Sequence, residues 1–258
     1  MSEIRTALVT GGTSGIGFAV ARTLAQDGTR VFLCARSAED VTTAVEKLQA
    51  DGLDVDGTTC DVRQTQQVED LVAAAVARFG PLTVLVNNAG RPGGGPTAQL
   101  TDEQWEEVID TNLNSVFRVT RAVLARGGIT GPNGRIINIA STAGKQGVLL
   151  AAPYSASKHG VVGFTKALGL ELAKTGITVN AVCPGYVETP MAERVRAGYA
   201  GAWQTTEAEV LDRFNAKIPL GRYSTAEEVA GLVGYLATPT AASITAQALN
   251  VCGGLGNF

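Results

Sequence analysis

The chain has 258 residues, 45% of them hydrophobic, with 21 Lys+Arg set against 24 Asp+Glu and a net charge of −3. That length buries a sizeable core without disulfides or a metal, and a slightly acidic chain with no basic run is a poor general nucleic-acid binder. No apolar run reaches the roughly 20 residues that span a bilayer, and the start MSEIRTALVTGG lacks a signal core with a cleavage site, so a soluble, cytoplasmic protein is expected.

In chain order, short apolar runs read as strands: TALVT, RVFLCA, LTVLVN, RIINIA, ITVNAV and QALNV, with DVDGTTCDV as a weaker seventh candidate. They are apolar almost throughout, as a sheet covered on both faces requires. Helical patterns lie between them. In QTQQVEDLVAAAVARFG the set Val68, Leu71, Val72, Ala75, Val76 and Phe79 falls at helical spacing. The alternation predicts an α/β fold over residues 1–258, a doubly wound parallel sheet with helices on both faces. One section breaks the rhythm: about 188–220 carries Tyr199, Trp203 and Phe214 amid polar helical segments and is expected to be a lid over the substrate. Cys34, Cys60, Cys183 and Cys252 are far apart with no CxxC spacing, which predicts buried free thiols. No cluster suggests a metal.

The first strand runs into TGGTSGIG, where Gly11, Gly15 and Gly17 are spaced G-x3-G-x-G with Thr13, Ser14 and Ile16 between them. Missing side chains permit a tight turn, and the helix that follows offers free N–H groups and its positive dipole end to a pyrophosphate. The absence of a G-K-[ST] ending disfavours a phosphate-transfer loop. At the end of the second strand Arg36 stands where NAD proteins carry an acid. A guanidinium binds a 2′-phosphate that a carboxylate would repel, which predicts NADPH/NADP+ over NADH. Asp61 and Val62 follow the third strand, where the carboxylate can accept a hydrogen bond from an adenine amino group. Asn88, Ala89 and Gly90 of VNNAG end the fourth strand on the same sheet edge, where ligands of such sheets bind.

Tyr154 precedes Lys158 by four residues, so both face one side of a helix. A nearby cation lowers a phenol from its reference pKa of about 10 and makes it a usable proton donor. Lys158 can also hydrogen-bond a nicotinamide ribose. Ser141, at the end of the fifth strand, can hold a carbonyl oxygen. Asn112 lies in an expected helix, against its propensity, and can hold a water that relays protons to Lys158. The lone histidine, His159, points about 100° away from Lys158 around the helix and reads as packing or surface. There is no G-x-S-x-G elbow for a hydrolase.

These motifs in this order, with CPG after the sixth strand, resemble the short-chain dehydrogenases/reductases over essentially the whole chain. The resemblance implies a single-domain, seven-stranded Rossmann fold, a catalytic tetrad of Asn112, Ser141, Tyr154 and Lys158, and commonly a homotetramer. It places Pro184, Gly185, Val187 and Thr189 along the nicotinamide. The stretches NNAGRPGGG, ASTAGKQGV, APYSASKHGVVGFTKALGLELAKTGITVNAVCPGYVETPM and TAQALNVCGGLGNF are similar to the actinorhodin-type aromatic (type II) polyketide ketoreductases. That similarity implies reduction by NADPH of one carbonyl, typically at the ninth carbon, of a poly-β-ketone held by phosphopantetheine on an acyl carrier protein. Pro92, Gly93 and Gly94 match a motif associated there with substrate orientation, and Gln146 is grouped with the substrate contacts. The ending VCGG, Val251 to Gly254, replaces the V-D-G-G usual in the wider family and agrees with the polyketide subgroup.

RPGGGP is a loop of minimal bulk, expected to leave room for a long flexible substrate. Tyr199 and Trp203 are expected to close over it. Arg36, Arg63 and Arg91 each follow a strand near the cofactor edge and form a candidate positive patch for an acidic carrier protein; scattered solvated arginines are the plainer alternative. The competing activities are a 3-oxoacyl-carrier-protein reductase of fatty-acid synthesis and a non-catalytic NADPH-binding sensor.

Overall fold

The first apolar run forms β1, Thr6–Thr10, which is buried along its whole length. Its alternating side chains feed two cores: Ala7 and Val9 belong to one, Leu8 to the other. The same period of two separates Val31 and Leu33 from Phe32 and Cys34 in β2, Arg30–Ala35. Both faces of the sheet are therefore covered, and the strands read as unbroken apolar runs for that reason. Each fully buried leucine, such as Leu8 or Leu33, contributes about 1.5–3 kcal/mol relative to exposure.

The other strands are β3 Val55–Thr59, β4 Val84–Asn87, β5 Arg135–Ile139, β6 Thr178–Pro184 and β7 Ala248–Val251. In this computed structural model, which describes residues 4–256, the seven strands are all parallel in the order β3-β2-β1-β4-β5-β6-β7. The ends of the expected 1–258 domain, 1–3 and 257–258, lie outside the described residues. β3 gave the weakest signal because its sequence VDGTT buries only Val55 fully; Gly57 lies so close to Leu33 that an added Cβ would stand 2.7 Å from its carbonyl oxygen.

One face carries α1 Gly15–Gln26, α2 Ala38–Ala50 and α9 Ala226–Ala237; the other carries α3 Thr65–Phe79, α5 Ser115–Arg126 and α6 Ala152–Leu172. The excursion folds as α7 Pro190–Trp203 and α8 Glu207–Asn215, which enclose a separate cluster around Val210, Phe214, Ile218 and Tyr223. The Thr206 and Thr225 side chains cap α8 and α9 in reciprocal boxes with Glu209 and Glu228.

The helix expected around Asn112 is interrupted. DTNLNSVF does not lie in a continuous α-helix. α4, Asp102–Ile109, and α5 are joined by a single π-helical turn over Asp110–Asn114. Such turns widen the helix by one residue and re-aim the side chain inside them. Here that side chain is Asn112. The strand order reverses between β1 and β4, so a crevice opens at their C-terminal ends, and all the motifs above end there.

Candidate functional site

Thr10 ends β1, and its hydroxyl accepts hydrogen bonds from the N–H groups of Asn88 (3.0 Å) and Ala89 (3.1 Å). The Asn88 amide donates back to the carbonyls of Thr10 and Gly11, each at 3.0 Å. The NNAG turn thus braces the glycine turn, and the Asn88 side chain is turned toward the glycine loop. Gly11 and Gly15 adopt φ of 65° and 52°, the left-handed region that favours glycine. At Gly17 a Cβ would collide with the Gly11 carbonyl. Ser14 is the N-cap of α1, yet its side chain makes no cap bond and the first turn holds no acid. The N-terminal donors and dipole of α1 therefore suit a pyrophosphate. Across the turn, a Cβ on Gly15 would come within 3.1 Å of the Thr189 methyl, which brings Thr189, at the end of the segment carrying Pro184, Gly185 and Val187, against the glycine loop. Thr13 lies on that turn and Ile16 in the first turn of α1, and Val62 is buried beside Asp61.

Arg36 is exposed just beyond β2. Asp61 accepts hydrogen bonds from Arg63 Nε at 2.9 and 3.0 Å and from Nη2 at 2.6 Å. These bonds hold the Asp61 carboxyl below its ordinary range, with the field of Arg36 adding to the effect. Arg63 also stands 3.8 Å from Glu107, and Arg91 is ion-paired with the same carboxylate. Neither is the free cation of the patch reading: the three arginines alternate with Asp61 and Glu107. Glu107 sits on α4 and carried no sequence signal.

Tyr154, Lys158, Ser141 and Asn112 converge at the ends of β5 and α6. Lys158 is buried, and its ammonium donates to the Ile139 carbonyl at 2.8 Å. It stands 5.8 Å from the centre of the Tyr154 ring. Burial raises the Tyr154 phenol above its ordinary pKa, while a hydrogen bond with Ser141 pulls it down. This overturns the expected depression by Lys158: desolvation dominates because the ammonium is directed at a backbone carbonyl. A raised phenol is protonated at neutral pH, which is the form a proton donor requires. The Asn112 amide is also used otherwise than expected. Its Oδ1 accepts from Arg91 N–H (2.8 Å), and its Nδ2 donates to Arg91 C=O (3.0 Å) and Ser157 Oγ (3.2 Å). The amide clamps the backbone after Gly90. Ser157 was missed, since a small polar residue beside Lys158 has no distinguishing spacing.

Burial pushes Lys158 down from 10.5 to about 8. Between those values the unfolded chain keeps a proton that the folded chain has shed, so this residue's contribution to stability rises with pH across that window. Below about pH 8 both states hold the proton and the burial penalty is fully present. Urea unfolding from about pH 7.5 to 9.5 should show this rise, and Lys158→Met should flatten it; an unchanged slope refutes the assignment.

At Gly93 and Gly94 of RPGGGP the missing side chains face packed neighbours and not open space, which departs from that expectation. A Cβ on Gly93 would strike Val108 of α4, and one on Gly94 would strike the Leu150 carbonyl and stand 2.9 Å from Ala151 Cα. The loop with Pro92 is thin because it packs against backbone just before α6. In the lid, the Tyr199 ring lies 4.8 Å from Trp203 and 5.2 Å from Phe214, which stacks on Tyr186. Gln146 is partly exposed after the Ser141 turn. His159 is exposed, with its Nδ1 2.9 Å from the Ser155 carbonyl. All four cysteines are free and buried, and no metal-ligating cluster occurs among the described residues.

Residues 5–200 match the family described as short chain dehydrogenase. A protein of Streptomyces virginiae named as a ketoacyl reductase of the monensin polyketide synthase is 70% identical over 100% of this chain and 99% of its own. A 3-oxoacyl-[acyl-carrier-protein] reductase of Escherichia coli is 38% identical over 98% of both chains. The crystal structure of a tryptophan-substituted variant of the actinorhodin polyketide ketoreductase with NADPH superposes with a TM-score of 0.96 at 61% identity, covering 99% of this chain and 98% of that one. The chain belongs to the short chain dehydrogenase family of oxidoreductases.

Proposed function

We propose that the chain is an NADPH-dependent ketoreductase of aromatic polyketide antibiotic biosynthesis. It reduces one keto group, at the ninth carbon, of a poly-β-ketone held by phosphopantetheine on an acyl carrier protein. The observation that carries the reading is the enclosed meeting of Tyr154, Ser141 and Lys158 beside an α1 N-terminus with no capping side chain and no acid. The identities of 70% and 62% to relatives named as ketoacyl reductases, against 38% to the fatty-acid enzyme, favour the polyketide substrate.

The glycine turn and the α1 N-terminus would hold the pyrophosphate, Arg36 the 2′-phosphate, Asp61 and Val62 the adenine side, and Asn88 to Gly90 with Pro184 to Thr189 the nicotinamide side. The dinucleotide, when bound, supplies hydride to the carbonyl carbon. The Ser141 hydroxyl orients the carbonyl oxygen, and the Tyr154 phenol gives its proton to that oxygen as negative charge develops there. Lys158 would hydrogen-bond the nicotinamide ribose, and Asn112 fixes the backbone at Arg91 that shapes this corner. Exposed Trp105, Phe117 and Leu170 on α4, α5 and α6 supply apolar surface that a homotetramer would cover. No helix among the described residues is long and apolar enough to cross a membrane.

The test is turnover of trans-1-decalone with NADPH, followed at the nicotinamide absorbance band. Steady oxidation is expected. A fluorescence change without turnover would instead support the sensor. In the same assay Arg36→Asp should move preference toward NADH by about tenfold or more; unchanged preference would refute the role of Arg36.

A further inference from the structure

Between the Ser141 turn and α6 lies a segment, 148–151, that takes no part in the proton transfer. Leu149 is 81% exposed and Leu150 43% exposed. Leu150 adopts φ 58°, a left-handed conformation that a branched side chain takes only when its surroundings impose it. The surroundings are identifiable. The Leu150 carbonyl accepts from Gly95 N–H at 2.8 Å, which joins it to the loop carrying Pro92 to Gly94. The Leu149 carbonyl faces the Tyr199 hydroxyl at 3.5 Å, a long contact that joins it to the lid. Val148 N–H donates to Ser155 Oγ at 3.3 Å, and Ala151 is the N-cap of α6, so the segment is tied to the helix that presents Tyr154.

Three neighbouring elements thus take the backbone of 148–151 and leave the two leucine side chains outward. Trp203, 37% exposed, stands on the same lid as Tyr199. Exposed Leu170 and Leu220 sit on other elements, whereas Leu149 and Leu150 are adjacent and lie on the segment between Ser141 and Tyr154, bonded to the lid and to the glycine-rich loop. Adjacent exposed apolar side chains on such a segment mark a place where apolar matter lands.

We propose that Leu149 and Leu150 are specificity-determining residues: an apolar sill that takes the non-reacting carbon skeleton of a bulky ketone against the Tyr199 and Trp203 side of the lid. The inference rests on the ketoreductase reading and adds to it the part of the chain that distinguishes a large substrate from a small one. An open-chain ketone of a few carbons reaches Tyr154 without touching the sill. A fused bicyclic ketone lies across it.

The experiment compares the parent protein with Leu149→Ser, Leu150→Ser and Leu149→Met on trans-1-decalone and on ethyl acetoacetate, both with NADPH. Either serine variant should raise KM for the decalone about tenfold with kcat held within about twofold, the signature of lost substrate binding. Its kinetics on ethyl acetoacetate should not change, and Leu149→Met should retain the parent KM. Unaltered decalone kinetics in both serine variants overturn the sill. An equal fall in kcat on both ketones also overturns it, since the segment would then act only by holding the Tyr154 helix. A parent protein that turns over neither ketone overturns the reductase reading and the sill together, whereas an active parent with insensitive variants removes the sill alone.

Discussion

A Tyr154→Phe protein is expected to bind NADPH as the parent does and to lose ketone reduction by about a thousandfold in kcat, within the range that one positioned proton donor supplies. The substitution removes one hydroxyl and keeps the ring, so the packing of α6 is conserved. The lost group is the one bonded to Ser141 and raised by burial. In this enclosed corner Lys158 is not a substitute donor, because its ammonium is held on the Ile139 carbonyl at 2.8 Å. Nicotinamide fluorescence titration would measure the binding, and single-turnover absorbance the chemistry. Reduction at near-parental rate would remove Tyr154 from the mechanism, whatever its neighbours. Loss of NADPH binding together with activity would show instead that the phenol is needed to shape the cleft.

Gly94→Ala should be nearly as damaging, through stability and geometry. The added Cβ meets backbone, the Leu150 carbonyl and Ala151 Cα, and backbone gives way less readily than the end of a flexible side chain. Overpacking of this kind costs about 1–3 kcal/mol, and relief would require moving either the Pro92–Gly95 loop or the start of the Tyr154 helix. Thermal unfolding should show a lowered midpoint, and kcat/KM should fall for small and bulky ketones alike, since Tyr154 itself is displaced. Gly147→Ala is the control. Nothing lies within 4 Å of a Cβ there, and no positive φ is required. Parental stability and activity in Gly94→Ala would mean that the loop does not press on α6 as the structure places it.

Some of this protein was readable residue by residue. The parallel sheet followed from short runs apolar almost throughout, because a strand covered on both faces does not alternate. The glycine turn followed from three residues in one short stretch, where only glycine accepts the left-handed backbone at Gly11 and Gly15 or the close approach at Gly17. Tyr154 and Lys158 share a helix face, so a spacing of four was enough to bring them together. Other features were misread. The glycines at Gly93 and Gly94 suggested open space and instead mark contact with Val108 and Leu150. Arg63 and Arg91 suggested free cations and instead meet Asp61 and Glu107. Asn112 suggested a helix interior and instead lies in a π turn with its amide on Arg91 and Ser157.

By itself, then, the sequence determined the strand and helix content, the position of the glycine turn and the identity of the residues at each strand end. These depend on backbone dihedrals and on side-chain periods of two and about 3.6, which act over a few neighbours. Only the tertiary structure decided that the Tyr154 phenol is raised, that Lys158 falls to about 8, and that the lid, the glycine-rich loop and α6 meet at Leu149 and Leu150. A pKa depends on how much water burial removes and on which distant carbonyl takes the charge, and a contact depends on which surfaces the crossovers bring together. Neither is written in local spacing.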